Sequence, residues 1–143
     1  MPTVNQILAT KGNQVWSIEA DQQVYDALKI MADKDIGALL VYQDKNVVGI
    51  ISERDYARRV VLKGKSAEKT PVSEIMTSEV LCVNPSQPIE ECMALMTAKK
   101  IRHLPVVEDE KIVGIISIGD VVNAVISEKQ FVITQLENYI KGY

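Results

Sequence analysis

Apolar residues along this chain change rhythm from element to element. Val15-Trp16-Ser17-Ile18 is a short β-type run, and Asp21 then offers an N-cap to a helix that places Val24, Ala27, Leu28 and Met31 on one face. Two apolar runs follow, Ala38–Tyr42 and Val47–Ser52, parted by Gln43-Asp44-Lys45-Asn46, a polar break that reads as a hairpin-like connection. Asp55–Leu62 is helical again and predicts Val60, Val61 and Leu62 toward the core. The order is strand, helix, strand, strand, helix.

The same order returns 65 residues later. Residues 22–55 align with 87–120 without a gap, and thirteen of the 34 positions are identical. Val48-Gly49-Ile50-Ile51-Ser52 and Asp55 recur as Val113-Gly114-Ile115-Ile116-Ser117 and Asp120. A fixed period of this kind marks a duplicated supersecondary unit. In the second copy Val80-Leu81-Cys82-Val83 takes the place of the first strand, and Ile89, Cys92, Met93 and Met96 form the helix face. Small sheets with helices that must bury an apolar face predict α+β or mixed α/β layering.

Lys63–Pro71 is polar and broken by Gly and Pro, a natural linker. Val72–Thr77 repeats the sense of Val4–Ala9, now 68 residues apart. The expected organisation is a first unit over 1–64, a linker over 65–71, a second unit over 72–127 and a helical extension over 128–143. In that extension Phe131, Ile133, Leu136 and Ile140 leave an apolar side to cover.

The 143 residues are 47% hydrophobic and 24% charged, an ordinary globular balance rather than a disordered one. Each repeat alone is a marginal unit of about 60 residues, so the halves are expected to share a core. A net charge of −3 gives no general attraction for nucleic acid or anionic membrane. No apolar run nears the ~20 residues that span a bilayer, and the start lacks a signal-peptide pattern. The expectation is a cytoplasmic protein. Cys82 and Cys92 show neither CxxC spacing nor metal partners, and Cys92 matches Ala27, a small core position.

The repeated motif carries the chemistry. A carboxylate at a helix start, Asp55 or Asp120, can accept both hydroxyls of a ribose. Helix N-terminal amides with the hydroxyl of Ser52 or Ser117 can hold a phosphate. Helix capping alone also explains these residues. Gly49 and Gly114 leave space, either beside a ligand or between strands.

A tandem with G-h-h-[ST]-x-x-D at the end of each third strand resembles a pair of CBS domains (cystathionine-β-synthase domains, a Bateman module). The likeness covers nearly the whole chain and is nearest to the small stand-alone two-CBS proteins of bacteria and plant organelles. It implies two units packed by pseudo-twofold symmetry through their sheets. It further implies two clefts for adenosine-containing ligands, namely AMP, ADP, ATP, NAD(H) or S-adenosylmethionine, and a homodimer.

The copies differ where the resemblance puts the ligand. Arg102 and His103 replace Gly37 and Ala38, and family positions assign them to phosphate in a first cleft with Ser52, Asp55 and Thr77. The second cleft is expected to hold Ser117 and Asp120, facing Gly37 and Ala38, with Arg54, Arg58 and Lys11 as candidate cations. Trp16 reads first as a core residue and second as a candidate aromatic wall. The first cleft is the expected place for a phosphorylated adenosine.

No GxxxxGK[ST] or GxGxxG is present, one histidine supports no nucleophile–base pair, and no Cys/His cluster could hold a catalytic metal. The sequence therefore predicts a non-catalytic regulatory module that binds adenine nucleotide and acts in trans on a protein target. A dimeric adaptor without ligand is the alternative. Nucleic-acid binding through the basic stretch Arg54–Lys69 ranks below both, since interleaved aromatics are missing.

Overall fold

The computed structural model describes residues 2–141. Helices α1 (Val4–Lys11), α2 (Val24–Lys34), α3 (Glu53–Tyr56), α4 (Val72–Ile75), α5 (Ile89–Lys99) and α6 (Ile118–Ile140) alternate with strands β1 (Ser17–Glu19), β2 (Ala38–Gln43), β3 (Asn46–Ser52), β4 (His103–Glu108) and β5 (Lys111–Ser117). Two compact units result: one is residues 15–80, the other combines 1–14 with 81–143.

In the contiguous unit β1 runs parallel to β2, and β2 pairs antiparallel with β3. Asp44 and Lys45 alone connect β2 to β3, both with positive φ (51° and 68°). That is the backbone of a two-residue hairpin turn whose twist matches the strands. Asp109 and Glu110 repeat it at 52° and 65°. The duplication extends to a register shift, at Val41/Tyr42 in one sheet and Val106/Val107 in the other. Both sheet-covering helices also end on a left-handed residue, Asp35 and Lys100, which are repeat counterparts.

The expected strand at Val80–Val83 shrinks to one parallel bridge, Val83 with Val106. The reason is Pro105. In the first copy the Leu40 N–H donates to the Trp16 carbonyl at 3.3 Å. Pro105 takes the place of Leu40 and has no N–H to give.

Each unit has its own hydrophobic cluster. One joins Ile18, Val24, Ala27, Met31, Leu39, Val41, Ile51 and Val60 to Val72 and Ile75. The other joins Val83, Ile89, Cys92, Met96, Leu104, Val106, Ile116 and Val121 to Val4, Ile7 and Leu8 of α1. The single shared core expected from length is thus replaced by two clusters that borrow segments across the repeat. The family of contacts around α1 and α4 follows the 68-residue spacing of Val4–Ala9 and Val72–Thr77.

Two helix faces depart from expectation. After Tyr56 the chain winds as a π-helix over Ala57–Val61, so only Val60 turns inward while Val61 and Leu62 are 53% and 77% exposed. Met93 also faces outward, leaving Ile89, Cys92 and Met96 as the buried face of α5. Trp16 packs partly buried against its cluster, with the Lys34 ammonium 4.3 Å from the ring centroid. From Phe131 to Ile140 the apolar residues of α6 are exposed.

Candidate functional site

Each unit ends its hairpin in a serine that caps the following helix, and the cap fixes the acid three residues on. Ser52 Oγ accepts from the Asp55 N–H at 3.2 Å, while Asp55 Oδ2 accepts from the Ser52 N–H at 3.0 Å and its hydroxyl at 3.1 Å. Ser117 and Asp120 repeat the reciprocal box at 3.2 and 2.8 Å. The first helical N–H is also matched: Glu53 donates to the Gly37 carbonyl and Ile118 to that of Arg102. Local sequence therefore sets both carboxylates in equivalent places.

What differs is the donor each acid meets from a distant segment. In the contiguous unit α4 leads into Thr77, which exchanges two backbone hydrogen bonds with Ile50 (2.9 and 2.8 Å). From there the Thr77 hydroxyl donates to Asp55 Oδ1 at 3.2 Å. Asp55 is one of only two buried polar residues among those described, 8% exposed. In the other unit α1 ends at Lys11, where Gly12 (φ 96°) turns the chain away. The Lys11 ammonium donates to Asp120 Oδ2 at 2.7 Å and to the Ile115 carbonyl at 2.9 Å. Burial alone would push the Asp120 carboxyl up; Lys11 and the Ser117 N–H outweigh it and hold the group below its ordinary range.

Asp120 and Lys11 border a cavity of about 630 Å³ between α1 and α6, lined further by Gln6, Thr10, Asn123 and Ser127. That volume lies within the roughly 300–1,000 Å³ of small-molecule sites. No local pattern marks these lining residues, because only the packing of α1 on α6 assembles them. Gly49 and Gly114 make room for protein: a Cβ there would lie 2.6 Å from Met76 Sδ and 2.7 Å from Leu8 Cδ2 respectively.

Among the other expected residues, Gly37 and Ala38 stand beside the Ser52 cap, Ala38 pairing in register with Ser52. Arg102 and His103 hold the same places beside Ser117. Arg54 lies in the first turn of α3, and Arg58 is exposed on the π-helical turn. Arg59, expected only as part of the basic stretch Arg54–Lys69, approaches Asp55. It stands 3.9 Å from Asp55 Oδ1 and donates to the carbonyls of Ile75 and Met76 at 3.0 and 3.1 Å. Its i,i+4 spacing from Asp55 was the available signal. Among the described residues no group of three or more His, Cys, Asp or Glu could hold a metal. No helix among them is long and apolar enough to cross a membrane.

Paired α+β units, each with a capped acid at the end of its hairpin, define a duplicated module rather than two unrelated domains. The CBS-domain model matches residues 5–62 and 72–127, and the chain belongs to that family. It is 38% identical to the mitochondrial CBS domain-containing protein CBSX3 of Arabidopsis thaliana, across 98% of this chain and 72% of that one. A CBS-domain protein structure from Burkholderia ambifaria MC40-6 superposes with a TM-score of 0.85 at 50% identity, covering 88% and 95% of the two chains. At 25% identity, a TM-score of 0.75 and coverage of 87% and 99%, the fold also matches the CBS domain pair of protein MJ0100 in complex with 5′-methylthioadenosine and S-adenosyl-L-methionine. Stand-alone CBS proteins of this kind are regulatory modules, and CBS pairs often bind adenosine ligands.

Proposed function

We propose that this protein is a non-catalytic sensor of adenosine-containing ligands, AMP, ADP, ATP or NAD(H), and that it acts in trans on a protein target. One observation carries the reading. The duplicated Ser–Asp box presents two pre-oriented carboxylates, and each acid is met by a side chain from a segment distant in sequence. A ribose diol suits such a carboxylate, and the nucleoside ligands bound by the MJ0100 pair support the same chemistry. Ser52, Asp55 and Thr77 form one set and Ser117, Asp120 and Lys11 the other, with Arg102 and His103 as the proposed phosphate contacts of the first. Ligand that binds only the organised state stabilises it by about 2.7 kcal/mol at 100 times Kd.

AMP, ADP, ATP or NAD(H) should therefore raise the melting temperature, and Asp55→Ala with Asp120→Ala should abolish the rise. No shift with any adenosine ligand at millimolar concentration sinks the reading.

The exposed face of α6 favours a second one, a dimeric adaptor. Val122, Ile126, Ile133, Leu136 and Ile140 lie at alternating spacings of three and four, with Lys129 in the same stripe. Under that reading a tight dimer is indifferent to nucleotide, and truncation after Ser127 converts it to monomer in sedimentation.

A further inference from the structure

The two acids are set alike by their own helices and differently by their distant partners. Asp55 meets a neutral hydroxyl, that of Thr77, whereas Asp120 meets an ammonium, that of Lys11. A diol approaching either carboxylate must compete with the donor already there. At Asp55 it exchanges one neutral hydroxyl donor for another. At Asp120 it must loosen a charge-assisted bond of 2.7 Å and strip Lys11 of its counter-charge.

Resting on the nucleotide reading above, we infer that Lys11 is a charge filter. It makes the Asp120 site accept adenosine ligands that bring a phosphate and reject neutral or cationic nucleosides. The phosphate supplies the anion that Lys11 gives up as the ribose takes Asp120. Both the lysine and the acid retain partial exposure, 33% and 21% of their side chains, so the ammonium can swing on its four-carbon stem without opening the core. The adjoining cavity of about 630 Å³ gives the displaced head somewhere to go. A neutral nucleoside offers nothing in return, and a sulfonium nucleoside adds repulsion. At the Asp55 site Thr77 holds this role, and the nearby Arg59 stands back at 3.9 Å with its guanidinium engaged by the Ile75 and Met76 carbonyls.

The family resemblance assigns a phosphate grip to Arg102 and His103 with Asp55; Lys11 adds a cation within hydrogen-bond distance of Asp120.

Calorimetric titration of the full chain carrying Asp55→Asn, with AMP and then adenosine, tests the filter at the remaining site. AMP should bind more tightly than adenosine by roughly tenfold or more, the size of one charge-assisted contact. Adding Lys11→Met should collapse that ratio toward one, with AMP weakened and adenosine unchanged or improved. Lys11→Arg should retain the ratio. Should Asp55→Asn prevent folding, the same ratios are read on the otherwise unaltered chain with Lys11→Met, from the binding event that Asp120→Asn removes. If AMP binds but Lys11→Met leaves the ratio intact, the filter is overturned and the nucleotide reading stands. If neither the substituted nor the unaltered chain binds any adenosine ligand, that reading falls, and the filter with it.

Discussion

Gly49 and Gly114 occupy matched positions in the two sheets, and the structure predicts that alanine is tolerated at only one. Neither needs left-handed backbone, so the difference lies in what the new methyl meets. At position 49 it would lie 2.6 Å from Met76 Sδ and 2.9 Å from the Thr77 carbonyl oxygen. Methionine can yield, but that carbonyl is pinned by its bond from the Ile50 N–H. Overpacking against backbone costs about 1–3 kcal/mol. At position 114 the neighbours are all Leu8, at 2.7 Å to Cδ2 and 3.1 Å to Cδ1. A rotamer adjustment costs about 0.5–1.5 kcal/mol, and the stiffer unfolded chain returns about 0.4–1. Gly49→Ala should thus lose about 2 kcal/mol and Gly114→Ala less than about 1. At roughly 3–4 °C per kcal/mol for a chain of this size, thermal unfolding by circular dichroism should fall by about 7 °C in the first and by under 4 °C in the second. Equal losses would refute the backbone-clash argument. An unchanged melting temperature for Gly49→Ala with loss of ligand binding would instead make the glycine a ligand-clearance residue.

Three further outcomes follow from the same geometry. Asp120 is held below its ordinary value near 3.8, so its contribution is full above that pH and lost as pH falls through its folded value. Lys11→Met should therefore destabilise modestly at neutral pH, with the difference shrinking in acid melts below about pH 4; a constant difference would exclude the ion pair as its source. Cys82 is exposed and Cys92 buried, and burial pushes both thiols up. A thiol reagent at pH 8 should modify one cysteine in the native protein and the second only after unfolding, and rapid modification of both would contradict the packing. Lys45→Gly should raise the melting temperature by about 3–4 °C, because a positive φ strains a side-chain-bearing residue by about 1 kcal/mol. A fall would show that the turn draws stability from the lysine itself.

Local pattern carried the order of elements, both hairpins and the capped acids, because each depends on residues within a few positions of one another. Cys92 was legible as core through its match to Ala27, and both are fully buried. Val61 and Leu62 were not, since a 3.6-residue period cannot anticipate the π-helical winding that rotates them outward. The missing strand at Val80–Val83 was hidden in plain view: Pro105 removes a donor only if one knows which residue it would have paired. The distant partners of Asp55 and Asp120 were less accessible still. Thr77 and Lys11 could be named as candidates, but the 2.7 Å contact of Lys11 depends on α1 packing into the unit that holds α6.

That packing has a consequence for how the chain is made. Residues 15–80 form a contiguous unit whose contacts need no residue made later than position 80. α1 emerges before any of it, yet Leu8 finds its neighbours at Val83, Gly114 and Val121 only when about 110 further residues exist. α1 therefore docks only after the whole intervening unit has been made. Any ligand contact that joins Lys11 to Asp120 consequently waits until the segments on both sides of the intervening unit have been synthesised.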